Sequence, residues 1–318
     1  MFVVPAHNEE RHLFRCLQSI QAQPAAKHDS IITSLIVVDN NSTDGTAKIA
    51  VQCGAKVIQI APGNVSRARN VGVAAGDSDL VAFVDADCVL PENWLERAVL
   101  HFCEPRVVAA GSVQAAAPAE APWVERLWVD TISPASVSTW RPVVWLPAFN
   151  LIVRRDSFSA IGGFDESLTT CEDSDLSRRL AAIGELRQDF RTPVLHLGES
   201  KTLAEFFRRE MWRSRGNFRS AWKRRAWGSE FISLFLPLCY VLLIAVAFAA
   251  TGLALAVDAR WWWSATALLA STAGVPLLIA IAKRRNFHAL GYAWLLFTCY
   301  LIARGVGPFL RARRVTAR

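Results

Sequence analysis

Two carboxylates separated by one residue, Asp85-Ala86-Asp87, directly follow the apolar run Leu80 to Val84. Adjacent acids at the end of a buried strand repel unless a cation or donor lies between them, so the pattern suits a hard divalent ion. Such an ion would bridge a diphosphate and stabilise a departing nucleotide. The competing reading is a solvated acidic loop, and the strand before it is what favours the metal. A further acid, Asp39, closes the run Leu35 to Val38 and opens Asn40-Asn41-Ser42-Thr43-Asp44-Gly45-Thr46. Either this is a polar turn in which Ser42 or Asp44 caps the next helix, or Asp39 accepts hydrogen bonds from a nucleobase or ribose. Arg67 and Arg69 flank Ala68 at a helix start whose amides suit an anion, the alternative being a solvated basic turn. Asn70 beside them reads as a helix-surface residue. Glu172-Asp173-Ser174-Asp175 enters a helix with Leu176, Leu180 and Ile183 on one stripe. Acids in a first turn complement the helix dipole, but this many exceed what capping requires, and a carboxylate here can remove the proton from an attacking hydroxyl.

These residues need strands to present them. Leu35 to Val38, Val57 to Ile60 and Leu80 to Val84 are short apolar runs bounded by turn or acidic residues. Between them lie helical patterns: Leu13, Leu17 and Ile20, then Thr46 to Cys53, then Ser66 to Ala75. Strands alternating with helices of this length predict an α/β fold with a mainly parallel sheet and right-handed crossovers. Ligands bind such sheets at the carboxyl ends of the strands, where Asp39 and Asp85 stand.

The chain has 318 residues and a net charge of +7. That charge is split: residues 201–318 hold 18 Lys plus Arg against 4 Asp plus Glu, and the first 200 hold 17 against 24. Basic residues that alternate with uncharged apolar runs argue for a membrane and against nucleic acid. Residues 231–257 and 261–282 carry no formal charge, and each exceeds the roughly 20 residues of a spanning helix. A third apolar run, 289–303, is short and meets Arg304, so it either extends toward Leu310 or lies partly in the interface. Lys223, Arg224 and Arg225 before the first span, with Lys283, Arg284 and Arg285 after the second, place the front half in the cytoplasm. A third full span would send Arg311, Arg313, Arg314 and Arg318 outside, against the same rule. Leu203, Phe207, Met211, Phe218 and Trp222 share one helical face, with Arg208, Arg209, Arg213, Arg215 and Arg219 beside them, as in a basic amphipathic helix at an anionic lipid surface. A helix packed on the catalytic domain is the alternative. Seven scattered cysteines without CxxC spacing indicate neither zinc nor a disulfide framework. The N-terminus shows no cleavable signal pattern.

Together the motifs resemble the family 2 glycosyltransferases with their GT-A nucleotide-diphospho-sugar transferase fold. The resemblance rests on Val3-Val4-Pro5-Ala6-His7-Asn8-Glu9-Glu10, Val37 to Thr46, Arg67-Ala68-Arg69-Asn70, Asp85-Ala86-Asp87, Gly162-Gly163-Phe164-Asp165-Glu166 and Glu172-Asp173, in the family's order over residues 2–198. It implies that Pro5, Asn8 and Glu9 line the nucleotide pocket, that Asp39 contacts the base, and that Arg67 and Arg69 serve the nucleotide sugar. It makes Asp85 a contact to ribose or metal and Asp87 the principal ligand of Mn2+ or Mg2+ through the diphosphate. Asp173 becomes the general base of an inverting displacement, and Glu172 shapes the acceptor site. His196 falls where some relatives use an additional metal ligand, the alternative being a satisfied histidine at a strand end.

The expected partners are a nucleotide-diphosphate sugar, a lipid-linked or lipid-phosphate acceptor and anionic membrane lipid, with no nucleic acid. Processive polysaccharide synthases of the same superfamily carry Gln-x-x-Arg-Trp on a comparable helix. The nearest stretch here, Arg208-Arg209-Glu210-Met211-Trp212, lacks the Gln and the Arg before Trp. Single-sugar transfer is therefore expected, with Trp212 on the acceptor side. A non-catalytic membrane scaffold is the reading from another class. A nucleotidyltransferase would need a Gly-rich, Lys-bearing loop that Pro5 to Glu10 does not supply. The expected organisation is a cytoplasmic catalytic domain over 1–200, divided at 112/113 into nucleotide-sugar and acceptor halves. It is followed by an interfacial helix in 201–228, two or three transmembrane helices in 229–310 (231–257, 261–282, 288–308) and a basic tail over 311–318, in a multi-pass protein of the inner (plasma) membrane. The Trp-rich stretch Trp123 to Trp145 is open between a sugar- or lipid-contacting flap and core packing.

Overall fold

A computed structural model describes residues 1–23, 34–133, 139–216, 221, 227–258, 260–283 and 289–310. Phe218, Trp222, the basic positions 223–225 and 284–285 and the tail 311–318 lie outside the described residues. The chain divides into two compact units, one of Met1–Ala116 with Ser133–Glu199 and one of Ala117–Ile132 with Ser200–Arg318.

In the first unit, β1 (Phe2–Ala6) pairs in parallel with β2 (Leu35–Asp39) and β4 (Leu80–Val84), and β2 with β3 (Lys56–Gln59). The crossovers carry α1 (Leu13–Gln21), α2 (Thr46–Gln52) and α3 (Val65–Ala74), at the positions of the apolar stripes. β1 is followed by β2 on one side and flanked by β4 on the other, so strand order reverses beside it. A crevice opens at such a reversal, at the carboxyl ends of the strands. Beyond β4 the sheet turns antiparallel through β8 (Asn150–Arg154), which also pairs with β6 (Val107–Gln114). The long β9 (Glu185–His196) runs parallel to β6 and takes β7 (Trp140–Val143) and the short β5 (Cys88–Val89) antiparallel. The sheet is therefore mixed, with its parallel block confined to the N-terminal half.

Alternation along the central strands feeds two cores. Phe2, Val4, Val37 and Val84 face Leu13, Leu17 and, from α4 (Trp94–Leu100), Trp94. Val3, Val38, Val81 and Phe83 face Val73 together with Phe158 of α6 (Arg155–Ala160) and Leu176 of α7 (Glu172–Ala181). Full burial of each such side chain contributes about 1.5–3 kcal/mol, and helices on both faces make the strands apolar at every position.

The second unit contains α5 (Trp123–Ile132), α8 (Leu203–Ser214), α9 (Trp227–Ala256), α10 (Trp261–Lys283) and α11 (Leu290–Val306). Thr202 and Glu205 form a reciprocal capping box that starts α8. One expectation is corrected here. The acceptor half 113–200 is not one piece, because Ala117–Ile132 groups with the second unit. There Val124 and Leu127 join Phe206, Leu296 and Phe297 in one core, and the Trp128 ring packs 5.0 Å from Phe206. Core packing thus explains Trp123 and Trp128, while Trp140 in the first unit lies under the Arg187 guanidinium at 4.0 Å. In α8, Phe206, Glu210 and Ser214 are buried, while Leu203, Phe207 and Met211, on the face expected at lipid, are half-buried. Glu210 tolerates burial because Arg213 lies 2.7 Å and Arg304 3.5 Å from its carboxylate, a pairing that hydrophobic periodicity does not register.

Candidate active site

The loops at the carboxyl ends of β1 and β2 are tied into one surface. Asn8, held at φ +56, accepts Thr43 N–H at 2.8 Å, and its own N–H donates to Ser42 Oγ. The Glu9 N–H donates to Thr46 Oγ1 at 2.8 Å, and Glu10 accepts Gly45 N–H at 2.8 Å. Asp44 accepts Thr46 N–H just before α2, whose N-cap position is Gly45 rather than Asp44 or Ser42. Asp39 is buried and closes its own turn by accepting Ser42 N–H. Pro5 is buried in β1, so it shapes the floor of the crevice rather than its rim.

Asp85 and Asp87 emerge from β4 half-buried. Leu197 N–H donates to Asp87 O, which brings the end of β9 against the pair and sets His196 Nε2 3.4 Å from the Asp87 carboxylate. The Phe149 ring rests 5.5 Å from the imidazole. On its other side, His196 Nδ1 lies 3.2 Å from Glu199, which also accepts from Gln114 Nε2. Burial lowers the His196 pKa, but Asp87, Glu199 and Asp85 outweigh it and the net shift is upward. Burial, then repulsion from Asp87, Asp85 and Asp44, raises the Glu9 carboxyl to about 7. Glu9, Asp85 and Asp87 thus concentrate negative charge where the sheet opens.

Donor atoms of Asp87, Cys88 and His196 all lie within 4.8 Å of one another, close enough to share one ion. Cys88 is the poor member, since burial, followed by Asp87 and Asp85, pushes its thiol well above the usual range and keeps it protonated. Asp87 and His196 therefore fit a hard cation, with Asp85 and Glu9 nearby to add charge. Gly198 completes the cradle, because an added Cβ would overlap the Asp87 carboxylate.

The opposite wall is built from α3. Asn64 caps α3 by accepting Arg67 N–H, and its Nδ2 donates to Glu166 O and Leu168 O. Asn70 accepts Phe164 N–H and donates to Phe164 O and the Glu166 carboxylate. It is a clamp on the loop after Gly162 and Gly163, both at positive φ, and not the surface residue expected. Arg69 also departs from its expected role at the nucleotide sugar. It is buried, 2.7 Å from Asp85 and 3.1 Å from Glu172, with its guanidinium over the Phe164 ring at 5.2 Å. It therefore joins the strand-end acids to the acids of α7. Cys171, at φ +63, turns the chain into that helix. Asp173 is half-buried and accepts Ser174 N–H at 2.7 Å. Burial and then Glu172 raise its carboxyl to about 6, against smaller pulls from the Ser174 N–H and Arg69.

Glu9, Asp85, Asp87 and His196 thus form one group, and Asp85, Arg69 and Glu172 a chain leading to Asp173. Arg67 is exposed on the first turn of α3. Trp212 belongs to the second unit, where it is exposed on α8. Sequence reasoning missed Glu199, Gly198 and Gln114; only the proximity of Gly198 and Glu199 to His196 in the chain offered a signal.

A parallel block ending in an Asp-x-Asp pair, with an acid-bearing helix across a mixed sheet, is the GT-A architecture of glycosyltransferases. The chain belongs to glycosyl transferase family 2, whose model matches residues 1–162. It is similar to glycosyltransferase AglE of Haloferax volcanii, 28% identical over 191 residues, 57% of this chain and 61% of that protein. It is also similar to the pre-mycofactocin glycosyltransferase of Mycobacterium tuberculosis, 29% identical over 193 residues, 57% of this chain and 39% of that protein. The chain thus spans less than two thirds of the length of either relative. Among solved structures, the mannosyltransferase PcManGT from Pyrobaculum calidifontis, in complex with GDP-Man and Mn2+, superposes with a TM-score of 0.65 at 19% identity, over 97% of this chain and 86% of that one. At that identity the likeness concerns the fold.

Proposed function

We infer that the protein transfers one sugar from a nucleotide-diphosphate sugar to a membrane-associated acceptor, lipid-linked or a lipid phosphate, with inversion at the anomeric carbon. The observation that carries the reading is the gathering of Glu9, Asp85, Asp87 and His196 at the strand ends, joined through Arg69 to Glu172 and the raised carboxyl of Asp173. Asp39, Asn8 and Pro5 line the nucleotide side, and Arg67 lies at the rim for the diphosphate. Asp87 and His196, with Asp85, would hold Mn2+ or Mg2+, which would supply positive charge to the leaving nucleoside diphosphate. Asp173 accepts the proton of the acceptor hydroxyl as its oxygen bonds the anomeric carbon and the bond to the diphosphate breaks. Arg69 keeps Asp85 and Glu172 fixed through this step, so catalysis depends on positioning and charge stabilisation. The apolar helices of the second unit support a membrane-bound acceptor and a multi-pass membrane protein, and the basic residues that flank them in the sequence support the inner (plasma) membrane with a cytoplasmic catalytic domain. Glu172 is assigned to the acceptor side.

The test is nucleoside diphosphate release by membranes bearing the full chain, given a panel of nucleotide sugars with Mn2+ or Mg2+. Wild type releases nucleotide with one donor, and Asp87→Ala and Asp173→Asn lose at least about 10²-fold. Unchanged turnover in Asp173→Asn removes the assigned base, and silence with every donor favours a scaffold.

A further inference from the structure

Among the described residues, three helices are long and apolar enough to cross a membrane, Phe231–Ala256, Trp261–Lys283 and Leu290–Phe309, yet the contacts of the third set it apart. Tyr240 on α9 donates its hydroxyl to Thr272 O on α10 at 2.9 Å and also faces Thr298 on α11. Trp294 on α11 donates Nε1 to Ala273 O at 2.8 Å. Trp294 and Thr298 thus meet the helix pair at the level of Tyr240. Farther along α11, Gly305 lies against Pro237 and Val241 of α9, where an added Cβ would come within 2.5 Å of both. Trp294 and Gly305 are separated by about 16 Å along the axis of α11, yet they touch the pair at one level. A helix crossing alongside the spans would instead have advanced by about the same distance along α9. α11 therefore runs across the pair.

The neighbour of α11 gives an independent argument. α8 runs alongside its C-terminal half: Cys299 Sγ lies 3.8 Å from Leu203 O, Arg304 3.5 Å from Glu210, and Gly307 packs on Met211 and Ser214. α8 exposes Glu205 and Arg208, and α5, in the same core, exposes Arg126 and Asp130. Were α11 to cross a bilayer, α8 would carry its charges into hydrocarbon, where each is costly unless paired.

We propose that α11 is not a third span but lies with α8 in the lipid interface on the side from which α9 enters. The described chain then crosses the membrane twice, through α9 and α10, and α11 ends on the side from which α9 enters. Arg304 is then an interfacial residue paired with Glu210, and the arginines that follow α11 in the sequence need not cross the membrane. The conflict between these arginines and the positive-inside rule disappears.

This inference rests on α9 and α10 being spans, so its test includes a marker for them. Full-length chains carry an epitope inserted after Asp258 or appended after Arg318, and antibody binding is compared in sealed right-side-out and inside-out vesicles. The expected result is binding at the Asp258 insertion only from outside and at the Arg318 epitope only from inside. Outside binding at both positions overturns the interfacial α11. Inside binding at Asp258 overturns the spans themselves, and with them this topology, while leaving the catalytic reading intact.

Discussion

Gly198→Ala adds one methyl group against the Asp87 carboxylate, at a backbone position outside the left-handed region. The new Cβ would overlap one carboxylate oxygen and stand 2.9 Å from Cγ. Carbon atoms rest at about 3.5–4.0 Å, so the Asp87 side chain or the Gly198 backbone must recede by about 1 Å. Overpacking of this kind costs about 1–3 kcal/mol of stability, which most folded domains survive. The effect on chemistry is larger, because a displacement of about 1 Å in a catalytic group costs on the order of 10²-fold. Nucleotide release should fall by that factor, and Mn2+ affinity, read by electron paramagnetic resonance of free Mn2+, should weaken in parallel. Adding Gly198→Ala to Asp87→Asn should cost little beyond the single Asp87 change, since the two act through one contact. Wild-type turnover and Mn2+ affinity in Gly198→Ala would refute the cradle and the placement of Asp87 as metal ligand.

Three further outcomes follow from the same geometry. Arg69→Met leaves Asp85 and Glu172 without their buried cation, and chemical denaturation should show a loss of about 3–5 kcal/mol, whereas loss of a surface contact alone would cost under about 1 kcal/mol. Because Asp173 must be ionised to accept a proton and its carboxyl is raised from 3.8 to about 6, turnover should fall as pH drops through 6. The stability effect has the opposite sign: between those two values the folded state holds a proton that the unfolded chain releases, so this group favours folding as pH falls. A pH profile of kcat that is flat from 7 to 5 would contradict the assignment. Glu199→Gln removes the carboxylate that orients His196 from behind, and Mn2+ affinity should weaken by about 10–100-fold; an unchanged affinity would leave His196 outside the metal shell.

The strands β2 and β4 were legible because burial on both faces makes them uniformly apolar, and the acids at their ends stand out against that background. The Asp85-Ala86-Asp87 pair and the Glu172-Asp173 pair could be read for the same reason. What joins them could not be read. Arg69 in isolation is a basic residue near a helix start, and only the fold turns it inward between two carboxylates distant in the chain. Asn70 likewise becomes a clamp only when the Gly162 to Glu166 turn is folded onto α3. Periodicity could not show that Glu210 is buried in α8, because only the fold sets Arg213 and Arg304 against it. The run 289–303 stayed open between a span and the interface, because length and apolarity are properties that both kinds of helix share.

The central claim is transfer of a single sugar to lipid by the Asp87 and Asp173 site. Its most direct measurement is mass spectrometry of organic-extractable lipid after membranes bearing the full chain receive the accepted nucleotide sugar and Mn2+. The account predicts one lipid species heavier by one sugar with wild type, and its loss in both Asp87→Ala and Asp173→Asn. A ladder of successive sugar additions, or the same product from Asp173→Asn at the wild-type rate, would contradict it.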